Sequence, residues 1–237
     1  MKIALLGYGK MGHEVEKVAI ENGHVISLVI DNEDDWLNKL DMLAKCDIAI
    51  EFSAPAIAAK NIYRCIESNV PIVVGTTGWF GQLGQITEFC NLHNGSLFYA
   101  SNYSIGVNIF FAINQKLASL LEVYPMYLPS MVETHHTQKL DSPSGTAITL
   151  ANGIIASNSN FTGYSENAAT IGEIPVQSIR IGNVTGEHTV TWISEIDKIT
   201  ITHEAFHRKG FALGAVMAAE WLQGRKGVFS MKDMLNL

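Results

Sequence analysis

The sequence predicts an α/β fold: a doubly wound parallel sheet over residues 1–106, completed by a C-terminal helical stretch at 209–237, with an α+β domain inserted at 107–208. Three observations predict it. Short β-branched runs alternate with helical patterns up to about Ile105, the pattern of a parallel sheet covered on both faces. A glycine-rich turn falls between the first run and the first helical pattern. Beyond Ile105 the alternation stops, and helices and strands are segregated.

Lys2 to Gly7 and His24 to Ile30 read as buried strands, as do Asp47 to Phe52, Val70 to Gly75 and Leu97 to Ala100. Between them, helical spacing covers 10–22, ended by Gly23, then 55–68, opened by Pro55 after Ser53, and 80–93. Ala59, Ile62, Tyr63 and Ile66 share one face of the 55–68 helix, as packing on a sheet requires. Asn32 to Lys45 carries Glu33, Asp34, Asp35 and Asp41; it is too polar for a central strand and reads as a loop with a short surface helix. In the insertion a long amphipathic helix runs from Ile105 to about Glu122, Pro125 and Pro129 break the chain, and a strand leads into Glu133 to Thr137. A helix from Ser144 to Ser157 and a polar loop from Asn158 to Thr170 follow. Strand character returns near 176–182, 187–194 and 197–204, the last two close enough for a hairpin, and Phe211 to Leu222 reads as the final helix.

Sixteen Lys and Arg against 23 Asp and Glu leave a net charge of −7. That argues against nucleic acid as a partner, because phosphate neutralisation needs a basic surface. No apolar run approaches the roughly 20 residues that span a bilayer, and the N-terminus lacks the form of a signal peptide, so no membrane partner is expected. Cys46, Cys65 and Cys90 contain no C-x-x-C, which suits buried free thiols in a reducing cytoplasm.

Gly7, Tyr8, Gly9, Lys10, Met11 and Gly12 fit G-x-G-x-x-G where the physics needs it, after a strand and opening a helix. The first glycine permits the tight turn, the second lets a pyrophosphate approach the backbone, and the third lets helix and strand pack closely. Free N–H groups at the helix start then face the phosphates. The placement marks the sheet as Rossmann-type and the loop as a dinucleotide site. Asp31 ends the second strand, where a carboxylate accepts hydrogen bonds from the adenine ribose. It favours NADH, since a 2′-phosphate would meet like charge. Lys10 could pair with such a phosphate, so the expected preference for NADH over NADPH is slight. Gly75-Thr76-Thr77-Gly78 and Phe52-Ser53-Ala54-Pro55 follow the fourth and third strands at their carboxyl ends, where doubly wound sheets hold ligands. On the residues alone, each equally suits a generic strand-to-helix turn.

The densest chemistry lies between Glu133 and Ala147: adjacent histidines at 135 and 136, Lys139, and Pro143-Ser144-Gly145-Thr146 opening a helix. Ser144 is a good N-cap, and the N–H groups behind it form an anion site able to hold a carboxylate. If the strand runs through His135 and His136, they point to opposite faces and do not chelate one metal, so no metal is expected. Without G-x-S-x-G, a serine hydrolase is not indicated. The same segment also reads as two surface histidines beside a capped helix. Arg208 and Lys209 stand at the start of the last helix, against its dipole, which tilts them toward a ligand role.

Together, the glycine loop, Gly75 to Gly78, the run Ser101 to Asn108, the segment E-x-H-H-x-x-K-x-D-x-P-S-G-T-A from Glu133 to Ala147 and Gly186-Glu187-His188 resemble the 4-hydroxy-tetrahydrodipicolinate (dihydrodipicolinate) reductase family over nearly the whole chain. The resemblance implies a cytoplasmic oxidoreductase of the diaminopimelate route to lysine. Such an enzyme uses NADH or NADPH to reduce a cyclic unsaturated dicarboxylate to tetrahydrodipicolinate. It also implies a homotetramer, formed through the sheet of the inserted substrate-binding and oligomerisation domain. By the same resemblance His135 is the catalytic histidine and Lys139 the proton-donating lysine, while His136, Lys139, Gly145, Thr146 and Arg208 contact the substrate. Gly7, Gly12, Asp31, Gly75 and Thr77 match cofactor positions, to which Tyr8, Gly9, Lys10, Met11, Phe52, Thr76, Ser101 and Tyr103 are added. The chain is shorter than many members, and the difference is expected between Asn32 and Lys45.

The chemistry agrees with the residues. Hydride addition to a conjugated imine leaves electron density that a lysine ammonium can protonate. Two carboxylates need two anion sites: the helix start at Gly145 and Thr146, and His136 or Arg208. With the two clusters in different domains, the expected site is a cleft closed by hinges near Ser104 to Val107 and Arg208 to Phe211. The competing readings are a related two-domain amino-acid dehydrogenase and a non-catalytic nucleotide sensor. A sensor has no use for His135, Lys139 and Pro143 to Thr146.

Overall fold

The computed structural model describes residues 1–166 and 170–237. Two compact units divide it, one of Met1–Ile105 with Lys209–Leu237, the other of Gly106–Arg208. The first begins with β1 (Lys2–Leu6), α1 (Lys10–Glu21), β2 (Val25–Ile30), α2 (Glu33–Leu43), β3 (Ile48–Glu51), α3 (Pro55–Glu67), β4 (Ile72–Val74), α4 (Leu83–Leu92) and β5 (Ser96–Tyr99). The chain passes through α5 (Ile105–Leu121) into the second unit, with β6 (Leu128–His135), α6 (Gly145–Ser157), β7 (Gly163–Ser165), β8 (Glu173–Arg180), β9 (Glu187–Ile193) and β10 (Lys198–Glu204). It returns to the first as α7 (Lys209–Leu222), β11 (Gly227–Phe229) and α8 (Met231–Leu235).

The first unit is a six-stranded sheet, ordered β11-β5-β4-β3-β1-β2 and parallel throughout. Successive side chains of β1 feed opposite cores. Ala4 and Leu6 join a cluster with Trp36, Ile62 and Ile86 from α2, α3 and α4. Ile3 and Leu5 join one with Val15, Val18, Ala215 and Val216 from α1 and α7. Burial on both faces is why these strands read as continuous apolar runs. Connections leave β1 toward β2 on one side and, later, toward β3 on the other, so the sheet order reverses at β1 and opens a crevice at the strands' carboxyl ends.

Two expectations for this unit are corrected. Asn32 to Lys45 is not loop with a short helix but the eleven-residue α2. The acidic run that spoke against a strand is a helix start: Asn32 Oδ1 accepts from Asp35 N at 2.9 Å, and three acidic residues occupy the first turn. Trp36 and Leu43 anchor its buried face. Nor is α7 the last element, because β11 pairs with β5 and α8 follows with a Ser230–Asp233 capping box.

The second unit is a five-stranded mixed sheet, ordered β10-β9-β6-β8-β7. β6 runs parallel to β8 and antiparallel to β9, and β9 and β10 form the expected hairpin. Phe110, Leu150 and Ile154 from α5 and α6 pack on Met131, Val176 and Trp192 to make its core. On the β9–β10 hairpin, Thr189 pairs with Thr202 and Thr191 with Thr200 through their hydroxyls. Pro129, expected to break the chain, lies inside β6. Pairing with β8 begins only at Met131, so at Pro129 the strand has an open edge that needs no N–H. Within the expected loop from Asn158 to Thr170, 163–165 form β7, and 167–169 lie outside the described residues. The three cysteines are free and buried. Among the described residues, no helix is long and apolar enough to cross a membrane.

Candidate active site

In the first unit the glycine loop is built from backbone contacts. Gly7 takes φ +89°, and a Cβ there would lie 2.4 Å from the Phe52 carbonyl oxygen. At Gly12 a Cβ would lie 2.5 Å from the Gly7 carbonyl oxygen. Around Gly9, by contrast, a Cβ would meet nothing within 4 Å. This open space lies at the start of α1, where Gly9 as N-cap offers no side chain to the first N–H groups. Unsatisfied donors, a positive helix end and room beside them fit a pyrophosphate.

Asp31 ties this loop to the end of β2 by accepting from Tyr8 N at 2.7 Å. Tyr8 Oη donates to Glu16, Met11 packs against the core, and Lys10 is exposed. A pocket of about 140 Å³ opens beside Gly7, bounded by Asp31, Glu33, Trp36, Ile57 and Asn61.

At the carboxyl ends of β3 and β4 the side chains turn inward. Glu51 is fully buried and accepts from Ser53 N at 3.1 Å and from the Ser53 hydroxyl. Ser53 N also donates to Thr76 Oγ1 at 2.9 Å. Burial pushes the Glu51 carboxyl up, against hydrogen bonds from Ser53, Thr76 and Asn61. Tyr103 is buried, and its hydroxyl donates to the Val74 carbonyl at 2.8 Å. The Phe52 ring fills the space a side chain at Gly75 would need. Of the expected cofactor positions in these turns, Thr77 and Ser101 are exposed, whereas the hydroxyls of Thr76 and Tyr103 hold the frame.

In the second unit, strand alternation puts Glu133 and His135 on one buried face of β6. Sheet register brings their partners: Arg180 of β8 stands opposite His135, and His188 of β9 opposite Glu133. Glu133, 1% exposed, pairs with His135 Nδ1 and with Arg180 Nη2 at 2.8 Å. Ser144 N donates to the same carboxylate at 3.2 Å, while Ser144 Oγ lies 3.0 Å from His188 Nε2 and caps α6 by accepting from Ala147 N. Burial opposes ionisation of Glu133, but hydrogen bonds from His135, Arg180, Ser178 and Ser144 hold its carboxyl well below the usual range. Burial, reinforced by His135, pushes His188 down to about 4, which leaves it neutral near pH 7. Glu133, His135 and His188 bring ligand-type atoms within 4.8 Å of one another. Glu133 Oε1 is already committed to Arg180 and Ser144, and His188 Nε2 to Ser144.

His136 lies just past the strand and faces elsewhere. With Arg208, Gln138, Asn183 and Thr185 it lines a pocket of about 220 Å³, and its Nδ1 is buried without a hydrogen-bond partner. Lys139 is held by Asp141, with Nζ 2.8 Å from both carboxylate oxygens. Lys139, Gly145 and Thr146 are not in that pocket's lining. Sequence reasoning gave no role to Glu133, Arg180 or the second hydrogen bond of Ser144. The available signal was weak: a carboxylate two residues before a histidine on a strand. Gly186 belongs here too, since a Cβ there would press on His135 Nε2 at 3.0 Å.

A parallel sheet carrying a dinucleotide loop, with a second unit that presents a fastened histidine, a lysine and a cationic pocket, defines a two-unit nicotinamide-dependent oxidoreductase. The family models for the dihydrodipicolinate reductase N-terminus and C-terminus match residues 1–103 and 106–235. A 4-hydroxy-tetrahydrodipicolinate reductase of Christiangramia forsetii is 48% identical, over 100% of this chain and 98% of its own. One from Akkermansia muciniphila is 36% identical, over 97% of this chain and 95% of its own. The fold is shared with the dipicolinate-bound dihydrodipicolinate reductase of Paenisporosarcina sp. TG-14, at TM-score 0.80 and 24% identity over 99% of both chains. The chain belongs to the dihydrodipicolinate reductase family. It is an NAD(P)H-dependent oxidoreductase of the diaminopimelate route of lysine biosynthesis.

Proposed function

We propose that the chain reduces 4-hydroxy-tetrahydrodipicolinate to tetrahydrodipicolinate by the following division of labour. The nicotinamide cofactor, when bound, supplies a hydride. Gly7, Gly9 and Gly12 at the start of α1 hold the pyrophosphate, with Tyr8, Lys10 and Met11 around it. Asp31 accepts from the adenine ribose and gives NADH a slight advantage over NADPH. Phe52, Gly75, Thr76, Thr77, Ser101 and Tyr103 shape the nicotinamide end, Thr77 and Ser101 by contact and Thr76 and Tyr103 by holding the turns.

His136 and Arg208 bind one substrate carboxylate in their shared pocket, and the α6 start at Gly145 and Thr146 binds the other. Lys139 donates a proton to the ring as electron density develops on it, and Asp141 is the counter-ion that a substrate carboxylate replaces. Loss of the hydroxyl together with a neighbouring ring proton as water opens a second double bond, and hydride and proton together saturate one of the two, so the product keeps one. Glu133 pairs with His135 Nδ1 and so fixes the imidazole with Nε2 toward the space that Gly186 keeps open. That dipicolinate is the ligand of the Paenisporosarcina reductase supports a cyclic dicarboxylate as the substrate.

The observation that carries this reading is the fastening of His135 to a buried, ionised Glu133, which a surface histidine beside a capped helix does not need. The test is NADH and NADPH oxidation with substrate generated from pyruvate and aspartate semialdehyde by the preceding synthase. Oxidation that needs the complete mixture is expected, and its absence would overturn the assignment. We further expect a cytoplasmic homotetramer joined through the second unit's sheet, whose β9–β10 hairpin carries exposed paired threonines. Light scattering on the purified chain reads the assembly directly.

A further inference from the structure

We propose that Glu33 is a specificity residue, which keeps Lys60 and Arg64 from attracting the 2′-phosphate of NADPH. The proposal rests on the reading of the first unit as a nicotinamide dinucleotide site. Glu33 opens α2 and borders the pocket of about 140 Å³ beside Gly7, together with Asp31. α3 forms the opposite wall through Asn61 and carries Lys60 and Arg64, which are four residues apart and so on one face. Both cations are tied to Glu33. Lys60 Nζ lies 2.9 Å from Oε1, and the Arg64 guanidinium takes both carboxylate oxygens, with Nη1 at 3.3 Å from Oε2. Arg64 is further laid over Trp36, another wall residue, at 4.5 Å from the ring centroid.

The charge balance gives the direction. Asp31 and Glu33 against Lys60 and Arg64 make the rim neutral, and the nearby Asp35 is paired with Lys39 at 2.6 Å. A ribose hydroxyl is indifferent to that neutrality, but a 2′-phosphate carries close to two negative charges and meets Asp31 while Lys60 and Arg64 are both engaged by Glu33, which leaves Lys10 of the glycine loop as the exposed cation nearest in sequence to answer it. Neutralising Glu33 leaves one negative and two positive groups at the rim. Lys60, 56% exposed at its side chain, and Arg64 are then free to bind phosphate.

The experiment measures dissociation constants of NADH and NADPH for the full chain, for Glu33→Gln and for Glu33→Gln with Lys60→Ala, at low and high ionic strength. Glu33→Gln is expected to tighten NADPH relative to NADH by about tenfold, an effect that shrinks in high salt, and Lys60→Ala is expected to take back part of the gain. An unchanged NADPH-to-NADH ratio in Glu33→Gln would overturn the proposal and leave Glu33 as a surface staple between α2 and α3. An unsubstituted chain that already favours NADPH would instead count against the Asp31 reading, and the change on Glu33→Gln would still decide the role of Glu33. Thermal unfolding of each variant confirms that the comparison is between folded proteins.

Discussion

The two units build their halves of the chemistry from different materials. In the first, the proposed dinucleotide site is mostly backbone: three glycines, a helix start and one carboxylate that grips the loop. In the second the proposed site rests on side chains, behind which a carboxylate 1% exposed pairs with His135 and Arg180 and accepts from Ser144 N, while Ser144 Oγ reaches His188. On the proposed function, the difference follows from what each unit binds. A pyrophosphate is the same in every dinucleotide and is met by N–H groups that any sequence supplies once the turn is right. A particular ring with two carboxylates needs charges at particular points, and these hold still only when a buried network fixes them.

The contrast predicts that side-chain changes in the second unit cost most. Lys139→Ala is expected to lower kcat by about 10²- to 10⁴-fold, since that is what a positioned general acid contributes, while NADH affinity stays within twofold or so. Steady-state kinetics with a separate NADH titration check both halves, and an unchanged kcat removes Lys139 as the acid. Glu133→Gln is expected to destabilise the fold by about 3–5 kcal/mol, because Arg180 loses its ionised partner. It should also release His135, so that kcat falls and its pH profile shifts in whatever protein remains folded. Denaturant unfolding beside a pH–rate profile separates the two effects.

A third prediction concerns acid. His188 takes up its proton near pH 6.5 when unfolded but only near pH 4 when folded, so the unfolded chain binds the extra proton between these values. Stability therefore falls as pH drops from about 6.5 to 4, by about 3 kcal/mol from this residue alone. Glu133, with its carboxyl held low, adds a further loss as pH falls through the carboxylate range. Urea unfolding across this range should slope less in His188→Asn. Equal slopes would show that His188 is not the group responsible.

How much of this was legible in the sequence divides along the same line. The glycine loop could be read because its logic is local: each glycine acts within a few residues of itself, apart from the contact of Gly7 with Phe52. The strands of the first unit were equally plain, since double-sided burial writes itself as an apolar run. α2 was underestimated because acidic residues speak against a strand before they speak for a helix start. The three-residue β11 is too short to carry a period, and is a strand only because β5 is there to pair with it. The network around Glu133 was illegible for a stronger reason. Arg180 and His188 reach it through the registers of β8 and β9 against β6, and no feature of residues 173–193 announces which strand they will pair with.

The smallest expected effects lie in the backbone-built half, where Gly9 and Gly12 separate binding from folding. A side chain at Gly12 would meet the Gly7 carbonyl oxygen at 2.5 Å, so Gly12→Ala must push α1 off the strand. It is expected to cost about 1–3 kcal/mol of stability and NADH binding with it. A side chain at Gly9 meets no atom within 4 Å. Gly9→Ala should therefore leave stability within about 0.5 kcal/mol of the parent. Its methyl group would instead stand where the pyrophosphate approaches, so NADH affinity should fall by about tenfold or more, a little over 1 kcal/mol. Parallel thermal unfolding and NADH titration of the two variants read this directly. If Gly9→Ala binds NADH as tightly as the parent, the open space at the start of α1 is not where the phosphates sit, and the backbone half of the comparison fails.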